Sequence, residues 1–523
     1  MLLRSAAWFF ALSVALVLGV AGCGKNREAE SLPPKTPTLR IYALGTLAGA
    51  MEPCGCVKSM LGGVDHAAEL LRKKQSEVEN SLLLAAGPLF FLNPELNAKS
   101  QTQELWKSEV VAKSLRSMKL RAWAPGLNDW AGGPEYFKKL TELSGAKPLA
   151  ANIGQQPPIW MTEVGKTKIG VAGISVPLRN GIGPSGLAVQ PPEEALRRAL
   201  SELNKKGAQV RIALLALPRG DALRLAEKIE GFQLIIVGKP FDEGELNDEP
   251  VPAVVIGKTL VVAPQNHLQS LASVDLYVRA DSYEFVDASG LSLREEFDVE
   301  QQRVQALQKM TPPPSELGQR KQALAEIERR LQEYKRPVPP KSGSFFYYQT
   351  AKVHEADGSH DNVKADMDAY YRRVNTHNKE AFKDRLPAPA LPGQSHYVGV
   401  QVCSTCHQEE YAFWRTTRHA GAYTTLSTQN KEFNLDCVGC HVTGYEKPGG
   451  ATVTHMETLQ GVQCETCHGP GSRHVEKPAG EKLISRSPAQ TLCAASCHHP
   501  PHVGREWTVG QAWPHIIGKG HGF

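Results

Sequence analysis

Apolar residues recur with two periods along the first three hundred positions. Leu39 to Leu47 (LRIYALGTL), Ser81 to Ala86 (SLLLAA), Lys168 to Ile174, Val210 to Leu217, Leu234 to Val237, Ala253 to Ile256 and Thr259 to Ala263 are short apolar runs of strand length. Pro148 to Ile153 reads as a further short strand, and Ser273 to Val278 and Leu291 to Phe297 as strands that close the set. Between these runs Val64 to Val78, Gln101 to Met118 and Pro192 to Gly207 space their apolar residues helically. Such alternation predicts a layered α/β domain over residues 39–298.

After residue 298 the pattern changes. Val299 to Lys335 is charged and periodic, with a break at Pro312-Pro313-Pro314. Leu317 to Tyr334 is a predicted helix, with Leu324, Ile327 and Leu331 along one side, and Pro337, Pro339 and Pro340 stop it. Ser342 to Val353 is strand-like. Asp366 to His377 is helical, with Tyr370, Tyr371 and Val374 as packing residues. Residues 299–392 therefore read as a helical connector that ends in the linker PAPALPG. A last domain, residues 393–523, is expected to be mainly α-helical and irregular.

That last domain carries the candidate chemistry. Cys403-Ser-Thr-Cys406-His407, Cys437-Val-Gly-Cys440-His441 and Cys464-Glu-Thr-Cys467-His468 are C-x-x-C-H motifs, and Cys493-Ala-Ala-Ser-Cys497-His498 has one extra residue between its cysteines. C-x-x-C-H is the pattern of covalent haem c attachment: two thiols add to the porphyrin vinyl groups and the adjacent His supplies an axial nitrogen. Eight of the eleven cysteines fall in these motifs. The expectation is four haem c per chain, the fourth on a looser loop; a disulfide is the other reading of Cys493 and Cys497. The proximal ligands would be His407, His441, His468 and His498. The distal candidates are His396, His419, His455, His474, His499, His502, His515 and His521, enough for two axial histidines at every iron. His419 (in a predicted helix, Thr417 to Ala420) and His474 (after the turn Gly469-Pro470-Gly471) lead the set. So few residues cannot enclose four porphyrins in a conventional apolar core, so the cofactors themselves would supply much of it. Neighbouring haems would then lie within tunnelling distance.

The N-terminus bears on location. A short basic start, an apolar run from Ala6 to Val20 and then Val20-Ala21-Gly22-Cys23 resemble a bacterial lipoprotein signal over residues 1–22. Cys23 would carry the lipid. Residues 23–38, with Pro33, Pro34 and Pro37, read as a tether. The expected location is outside the cytoplasm, where haem attachment to cysteines takes place. Gly24 after the cysteine points to the outer membrane, facing the periplasm or the cell surface. The formal charge of +5 is mild for 523 residues, and no nucleic-acid surface is expected.

Two resemblances add to this reading. The order of strand, Pro53-Cys54-Gly55-Cys56, Leu61-Gly62-Gly63, apolar strand and Gly126-Leu127-Asn128-Asp129 resembles the calcineurin-like metallophosphoesterase domain of the 5′-nucleotidase type, including lipoproteins of that type with a Pro-Cys-Gly-Cys loop. The resemblance implies a four-layer α/β/β/α fold and, in the family, two divalent metals that activate water. The ligand motifs do not carry over. Gly45-Thr46-Leu47-Ala48-Gly49 stands where the family has Asp-x-His, and Ala85-Ala86-Gly87-Pro88 where it has Gly-Asp. Asn128-Asp129 lacks the family His, and Arg219 and Lys239 stand where later histidines are found; His267 is a stray candidate. The expectation is a domain that has lost its metals and serves as scaffold or docking surface. Cys54 and Cys56 have no role in that picture beyond metal or thiol chemistry.

Residues from Tyr397-Val398-Gly399 through Trp414 to His419, Val442-Thr443-Gly444 and Gly461-Val462-Gln463 to His474, with the haem motifs among them, resemble the tetrahaem cytochrome c-554 family. The resemblance implies electron transfer in an extracytoplasmic respiratory or redox chain, with other redox proteins as donor and acceptor. Three alternatives stand beside it: an oxidoreductase acting on a small molecule at a five-coordinate haem, an active phosphoesterase fused to a cytochrome, and a binding or assembly protein in which Cys54 and Cys56 handle copper or redox signals.

Overall fold

The structure, a computed structural model, describes residues 36–54, 60–154, 156–175, 189–241, 249–311, 314–478, 483–499, 503 and 507–518. The signal segment, Cys23, Cys56, His502 and His521 lie outside the described residues.

Two sheets face each other. The first has seven strands in the order Phe285–Asp287, Ser344–Lys352, Ser270–Tyr277, Leu39–Leu44, Ser81–Ala86, Leu120–Ala124 and Lys147–Pro148. The second has six: Val254–Ile256, Thr259–Val262, Leu234–Val237, Val210–Ala216, Thr167–Ser175 and Ile159–Val164. The period-2 pattern explains the layering, since successive side chains alternate faces. Leu39, Ile41 and Ala43 point between the sheets and meet Leu82, Leu84, Val210, Ile212 and Leu214. Tyr42 and Leu44 point the other way, into a cluster with Leu71, Val111 and Leu115 of the helices Val64–Ser76 and Gln101–Ser117. On the far side Ala213 and Leu215 pack with Leu196, Leu203 and Leu225 of the helices Pro192–Lys205 and Arg219–Lys228. Both faces of both sheets are covered, which gives the α/β/β/α order.

One charge sits inside this frame. Arg40 is the register partner of Asp275 on the neighbouring antiparallel strand. Its guanidinium donates to both Asp275 oxygens, at 2.5 and 2.9 Å, and to Glu77 at 3.0 Å. The fork geometry satisfies a cation that burial alone would reject.

Three stretches differ from the sequence reading. Leu291 to Phe297 is the start of the helix Leu291–Gln308 rather than a strand. The Asp287 carboxylate accepts from the backbone N–H of Ser289 and Leu291, both at 2.7 Å, and so caps the turn into it. The boundary drawn between 298 and 299 falls within this helix. Pro148 to Ile153 contributes only the two-residue strand Lys147–Pro148. The Asn152 side chain takes over there, donating to Ser175 O at 2.6 Å and accepting from Ser175 N at 3.0 Å. Ser344–Lys352, assigned by sequence to the connector, pairs with Ser270–Tyr277 over eight residues and belongs to the first sheet.

The helix Asp361–Ala381 packs Val363, Met367, Tyr370, Tyr371 and Val374 into the cluster that holds Gln101–Ser117. It bridges to the C-terminal region, where helices are short. Five buried apolar residues, Val438, Val442, Ala451, Met456 and Leu459, form a cluster there, flanked by Tyr397, Tyr423, Phe433 and Tyr445. No described helix is long and apolar enough to cross a membrane.

Candidate haem site

The motifs lie on or beside single-turn helices: Val400–Cys403, Val438–His441, Cys464–His468 and Thr491–Ser496. A single turn is what brings the two cysteines of a C-x-x-C to one side. The eight cysteines form no disulfide. The fold brings the motifs together in pairs. The backbone N–H groups of Val398 and Gly399, just before the first motif, donate to Glu465 inside the third, and the neighbouring Cys464 and burial raise the pKa of Cys403. Cys440 Sγ lies 3.7 Å from the backbone oxygen of Ser496, the residue before Cys497 in the fourth motif. The first motif thus lies against the third, and the second against the fourth.

The histidines are arranged in the same way. The rings of His407 and His474 are 6.2 Å apart between centroids and 26° from parallel. Those of His419 and His498 are 6.3 Å apart at 52°. These distances exceed a stacking contact. Burial lowers the pKa of His419, helped by the charge of His498, and burial with the charge of His499 lowers that of His498. The neutral ring they favour is the form that ligates a metal. His498 also stacks on Trp507, at 4.6 Å and 4°. His441 Nδ1 lies 2.6 Å from Ala422 O, and His468 Nδ1 lies 2.6 Å from Ser485 O. An Nδ1–H donated to a carbonyl leaves the lone pair on Nε2 and fixes the ring. The two facing histidine pairs include neither His441 nor His468 among the described residues. His455 Nδ1 lies 3.2 Å from Thr454 Oγ1 and 3.4 Å from Thr452 Oγ1. His396 is tied by its backbone to Ser472, two residues before His474. His515 is exposed.

His419 lies in the turn between the helices Gln408–Trp414 and Ala422–Ser427, not in a helix as the sequence predicted. The hydroxyls of Thr416 and Thr417 donate to Phe413 O and Trp414 O, both at 2.7 Å, and compete with helix propagation. The extended segment at Val462 then takes His419 O, through Val462 N at 3.1 Å. Gly461 permits this approach. Its φ is +86°, and a Cβ would sit 3.1 Å from Ala420 O and 3.2 Å from His419 O.

Sequence reasoning missed the residues that hold these loops. Glu465, inside the third motif, is 1 % exposed. Its carboxylate accepts from Val398 N at 3.0 and 3.1 Å, Gly399 N at 2.8 Å and Gly471 N at 2.7 Å. It therefore ties the chain entering the first motif to the turn that leads to His474. Gln463 accepts from Val400 N at 2.7 Å, and Thr443 Oγ1 accepts from Gln463 N at 2.9 Å. Nothing in the sequence distinguishes a buried clamp at Glu465 from an exposed x position of C-x-x-C-H.

In the N-terminal domain the residues that match the expected phosphoesterase motifs are engaged with backbone. Asp129 accepts from Leu89 N, Phe90 N and Gly126 N at 2.7 to 2.8 Å, while burial pushes its carboxyl up to about 7. Asn128 donates to Leu92 O and Phe241 O. His267 packs edge-on to Phe241 at 4.7 Å, and burial lowers its pKa to about 4. Among the described residues no group of three His, Cys, Asp or Glu could hold a metal ion. Arg219 donates to Pro252 O.

With this geometry in place, the C-terminal region is similar to a c-type cytochrome domain, and it is joined to a layered α/β domain. Residues 402–469 match the family described as cytochrome c554 and c-prime; the match spans the first three motifs. Cytochrome c-554 of Nitrosomonas europaea is 35% identical over 98 residues, which is 16% of this chain and 42% of that protein. The chain thus spans less than half of this relative. Among solved structures, a 5′-nucleotidase precursor of Thermus thermophilus is 17% identical with a TM-score of 0.46, over 69% of this chain and 60% of the other. The sulfate thiohydrolase SoxB of Thermus thermophilus is 16% identical with a TM-score of 0.45, over 65% and 61%.

Proposed function

We propose that the chain is a multihaem c-type cytochrome, lipid-anchored through Cys23 outside the cytoplasm, that passes electrons between other redox proteins. The observation that carries the reading is the spacing of two histidine pairs, 6.2 Å for His407 and His474 and 6.3 Å for His419 and His498. Two imidazoles on one metal place their ring centres about 6 Å apart, from metal–nitrogen bonds of about 2.0 Å and half-rings of about 1.1 Å. The residues present therefore fit a haem iron at each pair.

Haem c supplies a one-electron couple at each site. Cys403 and Cys406, Cys437 and Cys440, Cys464 and Cys467, and Cys493 and Cys497 would anchor the four groups. His407, His441, His468 and His498 would be the proximal ligands, with His474 opposite His407 and His419 opposite His498. The carbonyls of Ala422 and Ser485 hold His441 and His468 in the tautomer that presents Nε2. The N-terminal domain acts as a metal-free scaffold, a reading supported by the engagement of Asn128 and Asp129 with backbone. A second reading has its own observation: His441 and His468 stand outside the facing pairs, which favours small-molecule chemistry at an open iron.

The test is a haem-per-chain assay on the purified protein with low-temperature EPR of its oxidised form. Four haems with at least two low-spin centres are expected. A high-spin signal beside them supports the second reading. Fewer than two low-spin haems sinks the assignment of the histidine pairs.

A further inference from the structure

The segment that enters the second motif is gripped by the N-terminal domain. Gln103 of the helix Gln101–Ser117 is 1 % exposed and donates to Asn434 Oδ1 at 3.2 Å. Its carbonyl oxygen accepts from Leu435 N at 3.0 Å and from Asn378 Nδ2 at 3.1 Å. Asn378 also donates to Phe433 O at 2.8 Å, and Asn375 accepts from Phe433 N at 3.1 Å. Two ion pairs flank this clamp. Lys107 meets Asp436 at 3.0 Å, and Lys431, 7 % exposed, meets Glu52 and lies over the Tyr371 ring at 4.5 Å. Each pair has one member in each domain. All four charges act on the next residue, Cys437. At that position Asp436 and Glu52 act against Lys431 and Lys107.

We propose that the N-terminal domain is part of the second haem's site, and that Lys107, by neutralising Asp436, sets the reduction potential of the group attached at Cys437 and Cys440. The proposal rests on the multihaem reading above. A cation near an iron centre favours its reduced state and an anion its oxidised state. The side chains of Lys107 and Asp436 are 24% and 43% exposed, so solvent screens part of the effect of a bare charge at either position. As a closed pair Lys107 and Asp436 nearly cancel; removal of either leaves the other uncompensated beside the site. Lys107 touches no haem ligand and acts as a positioning residue through Asp436.

The experiment uses full-length, haem-loaded protein and spectropotentiometric titration with EPR to separate the centres. Lys107→Met should lower the midpoint of one haem and leave the others in place. Asp436→Asn should raise the midpoint of that same haem. The double variant should return close to wild type, and Lys107→Arg should match wild type. Unchanged midpoints in both single variants overturn the proposal, as does a shift in the same direction in both. If Lys107→Met does not fold, Asp436→Asn decides alone, because a rise confined to one haem is required of it. Protein that contains no haem at all would instead sink the multihaem reading.

Discussion

Glu465→Ala tests whether one buried carboxylate organises the haem region. The substitution strips acceptors from three backbone N–H groups, those of Val398, Gly399 and Gly471. Each buried donor left unpaired costs about 1–3 kcal/mol, and water entering the vacated space recovers part of it, so a loss of roughly 3–5 kcal/mol is expected. Glu465→Gln keeps one acceptor oxygen and should lose about half as much. The measurement is urea denaturation followed in the Soret band, with stability from linear extrapolation. The same samples give a second readout. Gly471 N is the anchor of the turn before His474, so the alanine variant should convert one low-spin haem to high spin. A stability within about 0.5 kcal/mol of wild type, together with an unchanged EPR spectrum, would refute the clamp.

Two further outcomes follow from individual histidines. His474→Ala and His419→Ala should each turn a different haem high-spin, and the double variant should turn both; EPR of the oxidised proteins checks this, and loss of the same signal in both variants would break the pairing. His267 is lowered from about 6.5 to about 4 by burial and by the charges of Lys107 and Lys239. Its contribution is fully present above the unfolded pKa and is lost as pH falls through the folded one, up to about 3 kcal/mol between about pH 6.5 and pH 4. Tryptophan fluorescence on denaturation across that range measures the slope. His267→Asn, which tolerates the positive φ of 53° at this position, should flatten it, and equal slopes in the two proteins would exclude His267 as the source.

The α/β layers were legible because both sheets are buried on both faces. Runs such as SLLLAA and VRIALLA leave little room for another reading. The four cysteine motifs were legible because each is local, with its residues on or beside a single helical turn. What could not be read depends on distance along the chain. Nothing near His407 marks His474 as the ring opposite it, because the turn at Gly469–Gly471 is set by Glu465 and the loop at Val398. The Leu291 helix was misread because its first residues alternate, and only the Asp287 cap reverses the decision. Ser344–Lys352 reads as a strand, but its membership in the first sheet is a property of Ser270–Tyr277. The departures from the phosphoesterase motifs around Asn128 and Asp129 were plain in sequence. The way Phe241 and His267 come to pack together was not.

The order of the paired rings along the chain is His407, His419, His474, His498, so the two pairs interleave: the second opens inside the first and closes beyond it. If each pair is closed by a metal, as proposed, they would lace the domain as two overlapping hoops. Neither can be pulled straight while the other holds. In the chain-entropy view a cross-link around a long loop removes about 4 kcal/mol of freedom from the unfolded chain, and interleaved hoops restrict it further. A region with so small an apolar cluster would therefore owe its integrity to lacing more than to packing. It should come apart in one step rather than unravel from the C-terminus.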